Sequence, residues 1–131
     1  MLVDGLNALP NTNITTGLIG SKSIVFSGNL SVSNNFSRWY PNAHIAITDI
    51  VVSVGAAAIG NDIQISIKKN GIALIDSPIV LPAGDVEITV PVGSLTSSSL
   101  TNTDNISVDV LQVGTTFQGR DLVVQINYSV V

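Results

Sequence analysis

Few residues in this chain have the chemistry to make or break bonds. His44 is the sole histidine and Glu87 the sole glutamate; there is no cysteine. A Ser-His-Asp site would need His44 to meet both a serine and an orienting carboxylate, and no Gly-x-Ser-x-Gly elbow presents a serine for it. His44 follows Pro41 and Asn42 and precedes the alternating Ile45 and Ile47, which places it at the entrance or on the solvent face of a strand. Glycoside hydrolysis needs a pair of carboxylates. Glu87 lies between Val86 and Ile88 and therefore projects opposite their apolar face. Asp62, Asp76 and Asp85 flank turns, where aspartate serves by bonding its own backbone.

Three further groupings offer themselves. "TNTDN", residues 101 to 105, supplies oxygens suited to calcium, but the EF-hand spacing and its terminal glutamate are missing, so it reads as polar turn chemistry. Lys68-Lys69 and Arg120-Asp121 read as charges that blunt a sheet edge or make rim contacts, more than as an anion site. Arg38-Trp39-Tyr40-Pro41, with the only tryptophan, is a lid on one end of a β-sandwich, an interface anchor or a sugar-stacking platform. No phosphate-binding glycine loop is present. The residues thus predict no catalytic group, metal or cofactor, and no enzyme.

The elements that would carry these residues are strands. Apolar residues recur at every second position from Lys22 onward: Ile24 and Phe26 with Leu30 and Val32, Ile63-Ile65-Ile67, Val86-Ile88-Val90-Val92, Ile106-Val108-Val110, and Leu122-Val124-Ile126-Tyr128-Val130. This is the signature of strands with one buried face. Gly28 interrupts the first run where a bulge fits. Ile45 and Ile47 have the opposite parity from Ile50, Val52 and Val54, so that strand must bulge or break near Thr48-Asp49. Asn70-Gly71 predicts a type I′ hairpin between 61–69 and 72–76, because both central residues of that turn need positive φ. With Gly, Pro, Asn and Ser punctuating the runs, the reading is an all-β, antiparallel sandwich of about eight strands. "GAAAIG", 55 to 60, reads as a loop, and "GSLTSSSLTNTDN", 93 to 105, as a long polar one.

Length and composition agree with a single domain: 131 residues bury roughly two thirds of the unfolded chain's surface without needing disulfides. Residues 1 to 20 mix Leu and Ile with Gly, Pro, Asn and Thr and read as an extended arm; 21 to 131 form the sandwich. In the arm Leu2, Leu6, Leu9, Ile14, Leu18 and Ile19 would be apolar anchors for a partner, with Trp39 and Tyr40 as further contact residues. Charged residues are only 11% of the chain and the net charge is −4, which gives no electrostatic footprint for nucleic acid or an anionic membrane. The first 20 residues lack a basic n-region and a continuous apolar run, and no run reaches the length of a membrane-spanning helix. Synthesis in the cytoplasm without a signal peptide is expected.

"RWYP" entering "AHIAITDIVVSVGAAAIGNDIQISIKKNG", then "LPAG", then the closing "DLVVQINYSV" resemble the small jelly-roll modules of tailed-bacteriophage virion proteins. The likeness covers about residues 22 to 131. It departs at "GAAAIGND", where that group often has a proline-containing turn. The resemblance implies a jelly roll, often trimeric, with no catalytic or metal residues. It implies a capsid decoration (cement) protein bound to the major capsid protein on the head surface. The alternative it implies is a receptor- or glycan-binding module of a tail fibre or head appendage, using Trp39, Tyr40 or Phe117. A chain consisting of one sandwich and one arm fits the decoration role better.

Overall fold

The computed structural model describes residues 18–131. Within them the chain forms ten strands: β1 (Ile19–Asn29), β2 (Ser33–Trp39), β3 (Ile45–Ser53), β4 (Ile63–Lys69), β5 (Ile72–Ala73), β6 (Ile79–Leu81), β7 (Glu87–Pro91), β8 (Ser99–Leu100), β9 (Ile106–Gln112) and β10 (Arg120–Val130). All pairing is antiparallel. One sheet runs β1-β10-β3-β7, with β8 also on β3; the other runs β2-β9-β4-β5, with β6 also on β4.

The topology follows from one long hairpin folded at Asn70-Gly71. On the way out the chain lays down β1 to β4, and on the way back the remaining strands pair with them in reverse order. β1 takes β10, β2 takes β9, β3 takes β7 and β8, and β4 takes β5 and β6. Successive pairs fall in alternate sheets, and β10–β3 and β9–β4 contacts complete each sheet. That is a jelly roll. The expected count of about eight strands is corrected to ten, because two outer lines are each broken in two. The β5–β6 line is split around residues 74 to 78, and the β7–β8 line by a 3-10 turn, Val92–Ser94, and the residues after it.

The period-two pattern holds for most of the runs, but Val32, Val86 and Val92, counted on buried faces from the sequence, lie beyond the strand ends and are exposed. Ile24, Ile45, Ile47, Ile50, Val52, Leu122, Val124 and Ile126 point inward from one sheet and meet Ile63, Ile65, Ile67, Ile106, Val108 and Val110 from the other, all of them buried. Fully burying each such side chain stabilises the fold by about 1.5–3 kcal/mol. Both parity breaks are bulges. Asp49 pairs with Asn127 and Ile47 with Tyr128, leaving Thr48 as the extra residue, so that Ile47 and Ile50 both reach the core. The β1 register slips between Phe26 and Asn29, with Gly28 at φ 82°. Asn70 and Gly71 sit at φ 53° and 83°, as a type I′ turn requires.

The sequence pattern missed β2. "SNNFSRW" has no alternation, because its ladder with β9 shifts twice: Ser33, Phe36 and Trp39 face Val110, Val108 and Ile106. The edge reading of both charged pairs is also corrected. β4 lies between β9 and the β5–β6 line, and β10 between β1 and β3, so Lys68-Lys69 and Arg120-Asp121 are on interior strands and do not blunt an edge. Lys68 Nζ stands 2.7 Å from Asp109 Oδ2, and Asp109 is buried on the outer face of β9 beside the equally buried Ser107.

Candidate functional site

The anchors assigned to residues 1 to 17, Leu2, Leu6, Leu9 and Ile14, lie outside the described residues. The other four are brought to one end of the sandwich. β1 starts at Ile19, so Ile19 and Gly20, counted with the arm from the sequence, already belong to the sheet. Val130 N–H donates to the Leu18 carbonyl at 2.7 Å, and Val131 N–H to the His44 carbonyl at 3.0 Å. Leu18, the first described residue, therefore lies beside the end of β10. Leu18 and Ile19 remain exposed, at 48% and 84%.

Trp39 ends β2 and packs, half-buried, against the core. Its ring lies 5.6 Å from that of Tyr128, tilted by 38°. Tyr128 pairs with Gly20 across the β1–β10 ladder, and its ring occupies the space where a Cβ on residue 20 would sit, 2.8 Å from Tyr128 Cζ. Gly20, Tyr128 and Trp39 thus close the end of the core, which is the lid role anticipated for Trp39. Tyr40, the next residue, turns outward and is half-exposed. A shallow cleft of about 420 Å³ adjoins the start of β1, lined by residues that include Ile19, Ser21, Thr48, Asp49 and Asn127. The Thr48 bulge opens it, and its wall is a polar ladder in which Gln125 donates to Asn127 and Asn127 to Asp49.

The residues with bond-making chemistry do not converge. His44 and Glu87 are exposed on different strands or loops, and among the described residues no three His, Cys, Asp or Glu side chains gather as a metal site. Asp62 accepts from Ala83 N–H at 2.8 Å, a turn role. "TNTDN" is a clamp. Asp104 accepts from the Thr101 N–H (2.8 Å), the Asn70 amide (2.8 Å) and the Thr101 hydroxyl (3.1 Å), with Lys69 Nζ at 3.7 Å. These donors, the Thr101 backbone N–H first, hold its carboxyl pKa down at about 2. Asn70 Oδ1 in turn accepts from the backbone and side-chain N–H groups of Asn105. The loop is thereby locked onto the β4–β5 hairpin turn, and its oxygens are occupied by protein donors.

Sequence reasoning missed the Lys68–Asp109 pair and the closure of Gly20 by Tyr128. Both are contacts between residues far apart in the chain, with no local pattern to announce them. The sequence matches no family model, and no curated protein matches it.

Proposed function

We propose that this protein is a virion structural component, a capsid decoration protein of a bacteriophage head that acts by adhesion and not by catalysis. The observation that carries the reading is the end of the sandwich from which the arm departs. There Leu18, Ile19, Tyr40 and Val131 are exposed, at 48%, 84%, 50% and 68%, around a lid of Trp39 and Tyr128 that is fixed by the core. Such a rigid apolar rim beside a chain terminus suits a contact in which the arm lies across a shell subunit and the sandwich caps it. The likeness of "RWYP", "LPAG" and "DLVVQINYSV" to phage jelly-roll modules supports the same reading.

In this mechanism the major capsid protein is the partner, and copies of the chain gather as a homotrimer around a threefold axis of the shell. A specific contact buries about 1,200–2,000 Å², and many copies acting together make detachment slow. The test is binding to undecorated heads by the full chain and by a chain lacking residues 1 to 17. The cut preserves Leu18, whose carbonyl holds Val130, and so leaves β1 intact. The truncated chain is expected to keep its melting profile and lose attachment. Undiminished occupancy by the truncated chain would remove the arm from the mechanism, and failure of the full chain to bind heads would end the decoration reading.

A further inference from the structure

On the outer face of the second sheet a cleft of about 340 Å³ is lined by Arg38, Asn70, Gly71, Asn105 and Ser107. We propose that it binds a small ligand carrying one carboxylate and several hydroxyls, an acidic sugar.

Two side chains in it have no partner among the described residues. Arg38 is exposed, and among the described residues the ion pairs are those of Lys68, Lys69 and Arg120, not of Arg38. Ser107 is 98% buried as a residue, at 2% exposure, and its hydroxyl bonds to no described residue. The buried, unpartnered side-chain oxygen among the described residues is Ser33 Oγ; Ser107 Oγ must therefore keep its access to solvent, and the cleft is the opening it lines. A hydroxyl in such a place is free to exchange water for a ligand's hydroxyl group.

The frame around these groups is built and stiff. Ser37, beside Arg38, is held at φ 56°, and Asn70 at φ 53°, both in the left-handed region that a side chain adopts at a cost. Ser37 lies within the second β2 bulge, between Phe36 and Trp39, and bulges of this kind re-aim the neighbouring side chain. The opposite wall is the Asn70–Asp104–Asn105 clamp, whose hydrogen bonds fix both asparagines before any ligand arrives. A preorganised wall loses little freedom on binding.

Charge selects the ligand. Around the cleft Arg38, Lys68 and Lys69 face Asp104 and Asp109, three cations against two carboxylates, a local balance of +1 in a chain of −4. The surplus belongs to Arg38, whose planar fork fits one carboxylate in bidentate fashion. The Asn105 and Asn70 amides, the Gly71 backbone and the Ser107 hydroxyl are neutral partners for hydroxyl groups. The volume is at the low end of the roughly 300–1,000 Å³ of small-molecule pockets, which suits one sugar ring.

The test is titration of the full chain with glucuronate, glucose and inorganic phosphate, followed through backbone amide shifts in two-dimensional NMR. Glucuronate is expected to give saturable shifts at Arg38, Gly71, Asn105 and Ser107 with Kd on the order of 1 mM. Glucose should bind about tenfold more weakly, and Arg38→Gln, at an exposed position, should weaken glucuronate by a similar factor while the melting profile stays unchanged. Ser107→Ala should weaken both sugars together. The proposal is overturned if glucuronate gives no saturable shift at these residues, if phosphate or glucose binds as tightly, or if Arg38→Gln binds undiminished. None of these outcomes depends on attachment to heads.

Discussion

Replacing Gly114 with alanine should be among the most damaging single-methyl changes in this protein. Gly114 is buried where residues 113 to 119 cross the loop 54 to 60. A Cβ at this position would overlap the Phe117 carbonyl oxygen and stand 2.8 and 2.9 Å from the Ile59 O and N atoms. All three obstacles are backbone, so no rotamer change relieves them. The chain can make room only by moving one loop off the other, and the bonds that join them are Ile59 N–H to Phe117 O (2.9 Å), Thr116 N–H to Ile59 O (2.9 Å) and Phe117 N–H to Ile59 O (3.2 Å). Losing two or three such bonds at roughly 1 kcal/mol each, with overpacking of about 1–3 kcal/mol, gives about 3–6 kcal/mol. At about 4 °C per kcal/mol for a domain of this size, Tm should fall by about 12–24 °C. Gly93→Ala is the control, because a Cβ there meets nothing within 4 Å, and it should leave Tm unchanged. The assay is thermal unfolding followed by circular dichroism on both variants. A Gly114→Ala protein that melts within about 3 °C of the parent, less than 1 kcal/mol on the same scale, would refute the reasoning.

Two further outcomes are expected. Because the Asp104 pKa is held at about 2 against an ordinary 3.8, its carboxylate supports the fold above about pH 4, and that support is lost as pH falls toward 2. An NMR titration of the Asp104 carboxyl should show the low midpoint, and a midpoint near 3.8 would contradict the clamp. Lys68→Met removes the cation beside a carboxylate whose side chain is 3% exposed, although Lys68 itself is 28% exposed. Breaking a fully buried pair costs 3–5 kcal/mol, and solvent around the lysine reduces this to about 1–3 kcal/mol. Denaturant unfolding measures it, and no change in the midpoint would show that Asp109 does not depend on Lys68.

The adhesive reading and the acidic-sugar cleft use different parts of the molecule. Gly20, Trp39 and Tyr128 close one end of the sandwich, whereas Arg38 and Ser107 open onto the outer face of the second sheet. β2 links them: its inward residue Trp39 seals the core while Arg38, one position earlier, borders the cleft. Substitution of Arg38 can therefore be read as a change in the cleft without disturbing the lid.

The sequence by itself determined what is decided within a few residues. Alternating Ile63, Ile65 and Ile67 had to present one face to a core, Asn70-Gly71 had to turn tightly, and the change of parity between Ile47 and Ile50 required the bulge at Thr48, since a strand's side chains alternate strictly unless a residue is added. Of the anticipated contact residues, Leu18, Ile19, Trp39 and Tyr40 were legible as apolar or aromatic groups outside the regular pattern. Tertiary structure alone decided the rest. β2 has no alternation to read, because its shape is set by a twice-shifted ladder with β9, some 70 residues onward. Lys68 looked like an edge charge until β9 placed Asp109 beside it, and "TNTDN", legible as polar turn chemistry, received its long-range partner only from the hairpin at Asn70. The physical reason is common to all three: periodicity and turn preference are local properties of the backbone, whereas a partner across a sheet is fixed only when the whole hairpin has wound up and distant residues share one surface.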